Sequence, residues 1–254
     1  QGSLRTNTTA SNNTAVGKDA LKLNTTGTAN VAMGKDALQS NTTGSYNTAL
    51  GKDAVQYNTT ADYNTGVGYQ ALKVNTTGTN LVGVGYNALT DNTTGSKNVA
   101  VGREALANNT TADNNTAIGD SAMESTTTGS VNTAVGKSAL KVNTSGTYNA
   151  AFGAYSVQNN TTGSYNTGFG YGTLADNTTG YSNTAVGYHA GSNITTAWGC
   201  TLVGNNAGLT ITTGQDNTVV GHSAAYDLTT ATDNVVLGVS AGGDLTTGSR
   251  NVIA

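Results

Sequence analysis

The chain has 254 residues, of which 34 are Gly, none is Pro and 10% are charged, with a formal net charge of −3. Asn, Thr and Ala fill most of the remainder, so large apolar side chains are too few for one central core, while the lack of Pro and of dense charge separates the chain from ordinary disordered sequences. The absence of a basic cluster excludes the electrostatic footprint of nucleic-acid binding, and no apolar run approaches the roughly 20 residues needed for membrane insertion as a helix.

The chain opens at Gln1 rather than Met and shows no signal-peptide pattern, as expected of a processed chain or a portion of a longer one. From there a glycine recurs at Gly17, Gly34, Gly51, Gly68, Gly85, Gly102, Gly119, Gly136, Gly153, Gly170, Gly187, Gly204, Gly221 and Gly238, every step being 17 residues with no insertion or deletion. Four residues before each glycine stands Asn, as at Asn30, Asn47 and Asn132, except at Leu81 and Cys200. Eight residues after each glycine stands Thr, from Thr25 and Thr42 through to Thr246. A strict period means that each unit does the same geometric job against its neighbours, which is the logic of a solenoid.

Helical repeats are disfavoured, because each unit is rich in Gly and Thr and lacks an apolar stripe at helical spacing. Short segments such as Asn132-Thr133-Ala134-Val135 and Ala139-Leu140-Lys141-Val142 read instead as two strands per coil separated by Gly turns. The expected fold is therefore all-β: a parallel β-solenoid, or β-roll, of about fifteen coils, with adjacent coils about 4.8 Å apart and a shaft on the order of 70 Å long. Stacked copies of Asn30, Asn47 and Asn132, and of Thr25, Thr42 and Thr246, would form hydrogen-bonded ladders, with Gly136 and its counterparts at the turns.

Variation among the copies predicts orientation. The residue before each glycine is always apolar (Val16, Met33, Leu50, Ile118, Phe152, Phe169, Leu237), which predicts that it points into packed space. The residue three before it alternates between Thr and Val, as on a mostly buried face, and the two residues after the glycine vary freely, as at solvent positions. Copies up to residue 187 are regular, whereas residues 188–254 follow a variant pattern. There the Leu or Val four after the glycine becomes Gly191, Gly208, Ala225 and Gly242, while Ile194, Ile211, Leu228 and Leu245 replace Asn, and Leu202, Val219, Val236 and Ile253 replace Ala or Gly. Volume removed at one site returns at two others, as close packing demands.

Aromatic residues also repeat in register. Tyr46 and Tyr63, Tyr69 and Tyr86, Tyr148 and Tyr165, Tyr171 and Tyr188, and Tyr181 and Trp198 each stand one period apart and should stack. Exposed stacks stabilise sheets, and they also suit sugar rings; Tyr171, Tyr181, Tyr188 and Trp198, the last read as exposed, form the candidate glycan platform. No catalytic constellation and no metal-ligand spacing is found: His189 and His222 occupy different places in the repeat, and no cofactor is implied. The pairs Lys18-Asp19, Lys35-Asp36 and Lys52-Asp53 read as a solvated charged face, Asn-Thr-Thr triplets such as Asn24-Thr25-Thr26 as structural rather than glycosylated, and the single Cys200 as a buried thiol.

Runs such as Asn132-Thr133-Ala134-Val135-Gly136, and Asn177-Thr178-Thr179-Gly180 followed by Asn183-Thr184-Ala185-Val186-Gly187-Tyr188, resemble the repeats of phage tail-fibre and related bacterial surface proteins, and more loosely those in the heads of trimeric autotransporter adhesins. The resemblance covers essentially the whole chain and implies trimeric β-rolls or shafts, often followed by a chaperone peptidase domain of which this sequence holds no trace. Because each coil offers few large apolar groups, association of three copies would bury a further face of every coil. The expectation is a homotrimeric structural or adhesive fibre segment at an extracellular, cell-surface or virion location, without enzymatic activity and with a cell-surface glycan as a candidate partner. Two alternatives remain open: a self-assembling extracellular filament, since the sequence starts and stops in repeat register, and ice binding by outward-facing Thr ladders.

Overall fold

The computed structural model describes residues 2–254 and confirms a parallel β-solenoid in which each coil takes 17 residues and contributes one short strand. Among the described residues no helix forms, and so none is long and apolar enough to cross a membrane. The chain divides into two compact units, one ending at Thr128 and one beginning at Gly129. The first holds β1 (Thr14–Val16), β2 (Val31–Met33), β3 (Thr48–Leu50), β4 (Thr65–Val67), β5 (Val82–Val84), β6 (Val99–Val101) and β7 (Thr116–Ile118). The second holds β8 (Thr133–Val135), β9 (Ala150–Phe152), β10 (Thr167–Phe169), β11 (Thr184–Val186), β12 (Thr201–Val203), β13 (Thr218–Val220), β14 (Val235–Leu237) and β15 (Val252–Ile253). Within each unit every strand pairs in parallel with the next, always residue i with residue i+17, as in Thr14↔Val31 and Thr167↔Thr184.

One strand per coil corrects the expectation of two. The segment Ala139-Leu140-Lys141-Val142 is a run of turns, because Ser138 and Leu140 adopt left-handed φ of 55° and 50°, and the same alternation recurs at Asp19 and Leu21. Each left-handed residue reverses the local path, so a contour of only 17 residues can close. The segment still bonds to the next coil: the Leu21 N–H donates to Ala37 O at 3.0 Å and the Leu23 N–H to Gln39 O at 3.1 Å. Intercoil hydrogen bonding therefore runs around the perimeter without a second extended strand. The recurrent glycine is obligatory for a different reason; Gly85 has φ +136°, and a Cβ there would collide with the carbonyl oxygen of Gly102.

The interior is narrow. It is filled by the Leu four after the glycine (Leu21, Leu38, Leu72), by Ala beside it, by the central strand residue (Ala32, Ala49, Ala100) and by two columns of Asn, all fully buried. This corrects the predicted strand orientation. Side chains alternate across a strand; its central residue, Ala or Gly in β1 to β11 and Leu202, Val219 and Val236 in β12 to β14, points inward, so the residues on either side of it turn outward. Val16, Met33, Leu50, Ile118, Phe169 and Leu237, expected in packed space, are exposed, and the Thr or Val two before each is at least partly exposed. The second residue after the glycine, expected in solvent, is instead half-buried at Asp19 and Asp36 and buried at Asp53, Ser121 and Ser138.

Both Asn columns are hydrogen-bonded ladders. In the one four before the glycine, Asn30 Oδ1 accepts from the Asn47 N–H at 2.9 Å while Asn30 Nδ2 donates to Gly44 O at 2.8 Å, and Asn132 repeats this with the Asn149 N–H and Gly146 O, both at 2.9 Å. In the other, Asn41 Nδ2 donates to Asn24 Oδ1 at 2.8 Å and to Gly44 O at 2.9 Å. Asn24 and Asn41 are fully buried with their amides engaged in this way, which leaves them structural in the folded chain. The Thr ladder uses the backbone: Thr25 Oγ1 donates to Thr42 O and Thr42 Oγ1 to Thr59 O, both at 3.0 Å, and Thr229 Oγ1 to Thr246 O at 3.2 Å. At the exception Cys200 the buried thiol replaces the amide, with Sγ donating to Gly214 O at 3.3 Å, and burial pushes its pKa up.

The coordinated change in the variant copies falls inside the second unit and follows from volume. A Cβ on Gly191 would run into Leu202 Cδ1 and lie 3.2 Å from Ile194 Cδ1, so the space vacated by Leu is taken by those two side chains.

Candidate functional site

The variable residues of each coil lie at its outer edges, and there the aromatic stacks form as expected. Tyr46 and Tyr63 stack at 5.1 Å between centroids, Tyr69 and Tyr86 at 5.4 Å, Tyr148 and Tyr165 at 5.2 Å, Tyr171 and Tyr188 at 5.4 Å, and Tyr181 and Trp198 at 5.7 Å. The cause is the constant register: identical coil positions superpose at the strand spacing, which places successive rings face to face.

The four predicted platform residues separate into two pairs. Tyr171 and Tyr188 each follow the glycine that ends a strand, and His189 meets both rings edge-on, at 5.3 Å and 4.3 Å, with its Nδ1 3.3 Å from Ser192 Oγ. Tyr181 and Trp198 lie on the approach to the strands β11 and β12, on the other side of the extended segment. Among the described residues no ring contact joins the two pairs. Trp198 is half-buried rather than exposed, because its ring packs flat against Tyr181.

A second arrangement was not anticipated. Between Tyr165 and Tyr181 lies a cleft of about 250 Å³, lined also by Thr162, Gly163, Ser164 and Thr179. Tyr165 ends the Tyr148 stack, since the next coil carries Ser182 at that position, and Tyr181 begins the Trp198 stack, since the preceding coil carries Ser164. The sequence signal was a shift of the aromatic residue by one position between successive coils, which a search for rings 17 apart passes over.

The Lys-Asp pairs form only loose contacts, 3.5 Å for Lys35–Asp36 and 3.8 Å for Lys52–Asp53. Among the described residues no group of three or more His, Cys, Asp or Glu side chains is placed to hold a metal ion. No family model, no curated protein and no solved structure matches this chain.

Proposed function

We propose that the chain is a structural fibre segment, a non-enzymatic shaft that assembles as a parallel homotrimer and presents its variable coil edges at an extracellular, cell-surface or virion location. The observation that carries this reading is the outward row on the strands. Val16, Met33, Leu50, Val101 and Ile118 in the first unit, and Phe169, Val186, Val220 and Leu237 in the second, are exposed apolar side chains in line, flanked by Thr or Val and carrying no charge. Within each unit a row of apolar side chains exposed on most coils marks an interaction surface.

The occupant that fits it is another copy of the same chain. Side chains in the row recur once per coil, so only a partner with the same rise can match them one for one, and a second copy has that rise by construction. Rotational symmetry about an axis parallel to a unit's coil stack keeps the match along that unit's row. The resemblance of the repeats to those of tail-fibre proteins and trimeric adhesins supports three copies rather than two.

The test is absolute mass by light scattering after size exclusion. Three times 25.4 kDa is expected, falling to the monomer mass when Met33→Lys, Val101→Lys and Ile118→Lys are combined, with the circular dichroism spectrum unchanged. A parent mass of 25.4 kDa would overturn the trimer, and species of open-ended size would replace it with the filament. Ice binding has weaker support: Thr26, Thr43, Thr60, Thr77 and Thr94 form one exposed row, but the hydroxyls of the adjacent Thr column are engaged with backbone carbonyls. Thermal hysteresis above that of a control protein would be needed to revive it.

A further inference from the structure

The cleft between Tyr165 and Tyr181 goes beyond a shaft. We infer that it is a carbohydrate-binding site that seats one neutral pyranose ring against Tyr165 and Tyr181, over a floor of the Thr162, Ser164 and Thr179 hydroxyls.

Three observations point there. Each tyrosine is stacked on one side by a ring of the adjoining coil: Tyr148 lies parallel to Tyr165 within 1°, and Trp198 lies within 8° of parallel to Tyr181, so both stacks end at the cleft. Both rings are held flat by a neighbour yet remain open to solvent, 60% for Tyr165 and 46% for Tyr181, which preorganises them without burying the face a ligand needs. The floor is polar but uncharged. Thr162 and Thr179 are exposed and their hydroxyls make no hydrogen bond within the described protein, while Ser164 Oγ accepts from the Thr147 N–H at 3.0 Å and lies 3.3 Å from Thr147 Oγ1.

A pyranose matches this combination. Its C–H face packs on an aromatic ring, and its hydroxyls both donate and accept, as do those of Thr and Ser. No Lys, Arg, Asp, Glu or His lines the cleft, so nothing there compensates the charge of a sialic acid or a phosphate. At about 250 Å³ the space lies below the range of drug-sized ligand pockets and fits a single ring of a longer glycan.

The experiment titrates the full chain with cellotetraose, chitotetraose, maltotetraose and lactose, with 3′-sialyllactose as the anionic comparison. It is followed by saturation-transfer NMR and by the fluorescence of Trp198, the only tryptophan. At least one neutral probe should saturate below about 10 mM, with Tyr165→Ala and Tyr181→Ala each weakening it at least about tenfold and Tyr165→Phe and Tyr181→Phe holding it within about threefold. Thr179→Val, which keeps the shape and removes a hydroxyl, should weaken it less than either Ala variant but measurably, and Tyr63→Ala, in the other unit, should leave it unchanged. The inference is overturned by no saturation with any neutral probe, by 3′-sialyllactose binding as tightly as the best of them, or by Ala variants that bind like the parent. None of these readouts depends on the mass of the assembly, so failure here leaves the fibre reading standing, and the converse also holds.

Discussion

Asn109 Oδ1 and Asn177 Oδ1 are buried without a hydrogen-bond partner, and in both cases the next residue in the column is not Asn. Thr126 follows Asn109, and Ile194 follows Asn177; neither supplies the amide that Asn58 provides for Asn41 at 2.9 Å. Thr126 is the worse fit, since its own Oγ1 is also buried and unpartnered. Thr126→Asn should therefore stabilise the protein by about 1–2 kcal/mol, by pairing an orphaned acceptor and removing an orphaned hydroxyl. A rise in the urea midpoint at unchanged slope is the expected reading, and an unchanged or lower midpoint would mean that the wider side chain does not fit. The ladders were legible in the sequence because a hydrogen-bonded column tolerates few substitutes, so the period displays it directly. The orphaned atoms were not, since they depend on which direction each amide faces.

At the scale of the coil, the sequence showed the register but not which side of the strand faces in. Invariant apolar character before the glycine is compatible with an inner face or with an interface, and only the width of the interior decides: Ala15, Ala32 and Ala49 fill it at the strand centre, so Val16, Met33 and Leu50 have no room there. The second strand failed for a related reason. Alternating apolar residues resemble a strand in sequence, yet Leu72 at φ 55° and Gln70 at φ 56° turn the chain instead. The exchange of Leu for Gly in the variant copies was legible, because compensating volumes are visible without knowing orientation. It also yields a test. Gly208→Leu places a Cβ 2.7 Å from Ile211 Cδ1 and 3.0 Å from Leu202 Cδ2, and should cost about 1–3 kcal/mol through overpacking. Leu202→Ala alone should cost about 2–5 kcal/mol by opening a cavity. Combined, they should cost clearly less than the sum, with a coupling of about 1–2 kcal/mol in a double-mutant cycle, because the incoming Leu occupies what the outgoing Leu vacates. Additive losses would show that the two sites do not share one volume.

For each unit as a whole, parallel pairing of residue i with i+17 makes every coil a neighbour of two others and of nothing else in the unit, so stability is a sum of coil and interface contributions. Damage should therefore stay local when one coil is altered and vanish when the alteration respects the period. Deleting residues 69–85 from the first unit joins Gly68 to Tyr86, glycine to the residue that normally follows a glycine, and restores every ladder one coil shorter. That variant should retain the circular dichroism spectrum per residue and melt within a few degrees of the parent. Inserting a single Ala between Leu89 and Thr90 leaves the composition almost unchanged but displaces Asn92 from Asn75 and Thr93 from Thr76, pairs now joined by hydrogen bonds of 2.9 Å and 3.0 Å. Amide hydrogen exchange should then quicken in the coils that contain Gly68, Gly85 and Gly102 and remain slow around Gly34 and Gly51. Uniform loss of protection throughout the first unit would instead reveal long-range cooperativity that a nearest-neighbour stack cannot supply. That outcome would locate the missing coupling outside the single chain, in the exposed row of Val16, Met33, Leu50, Val101 and Ile118.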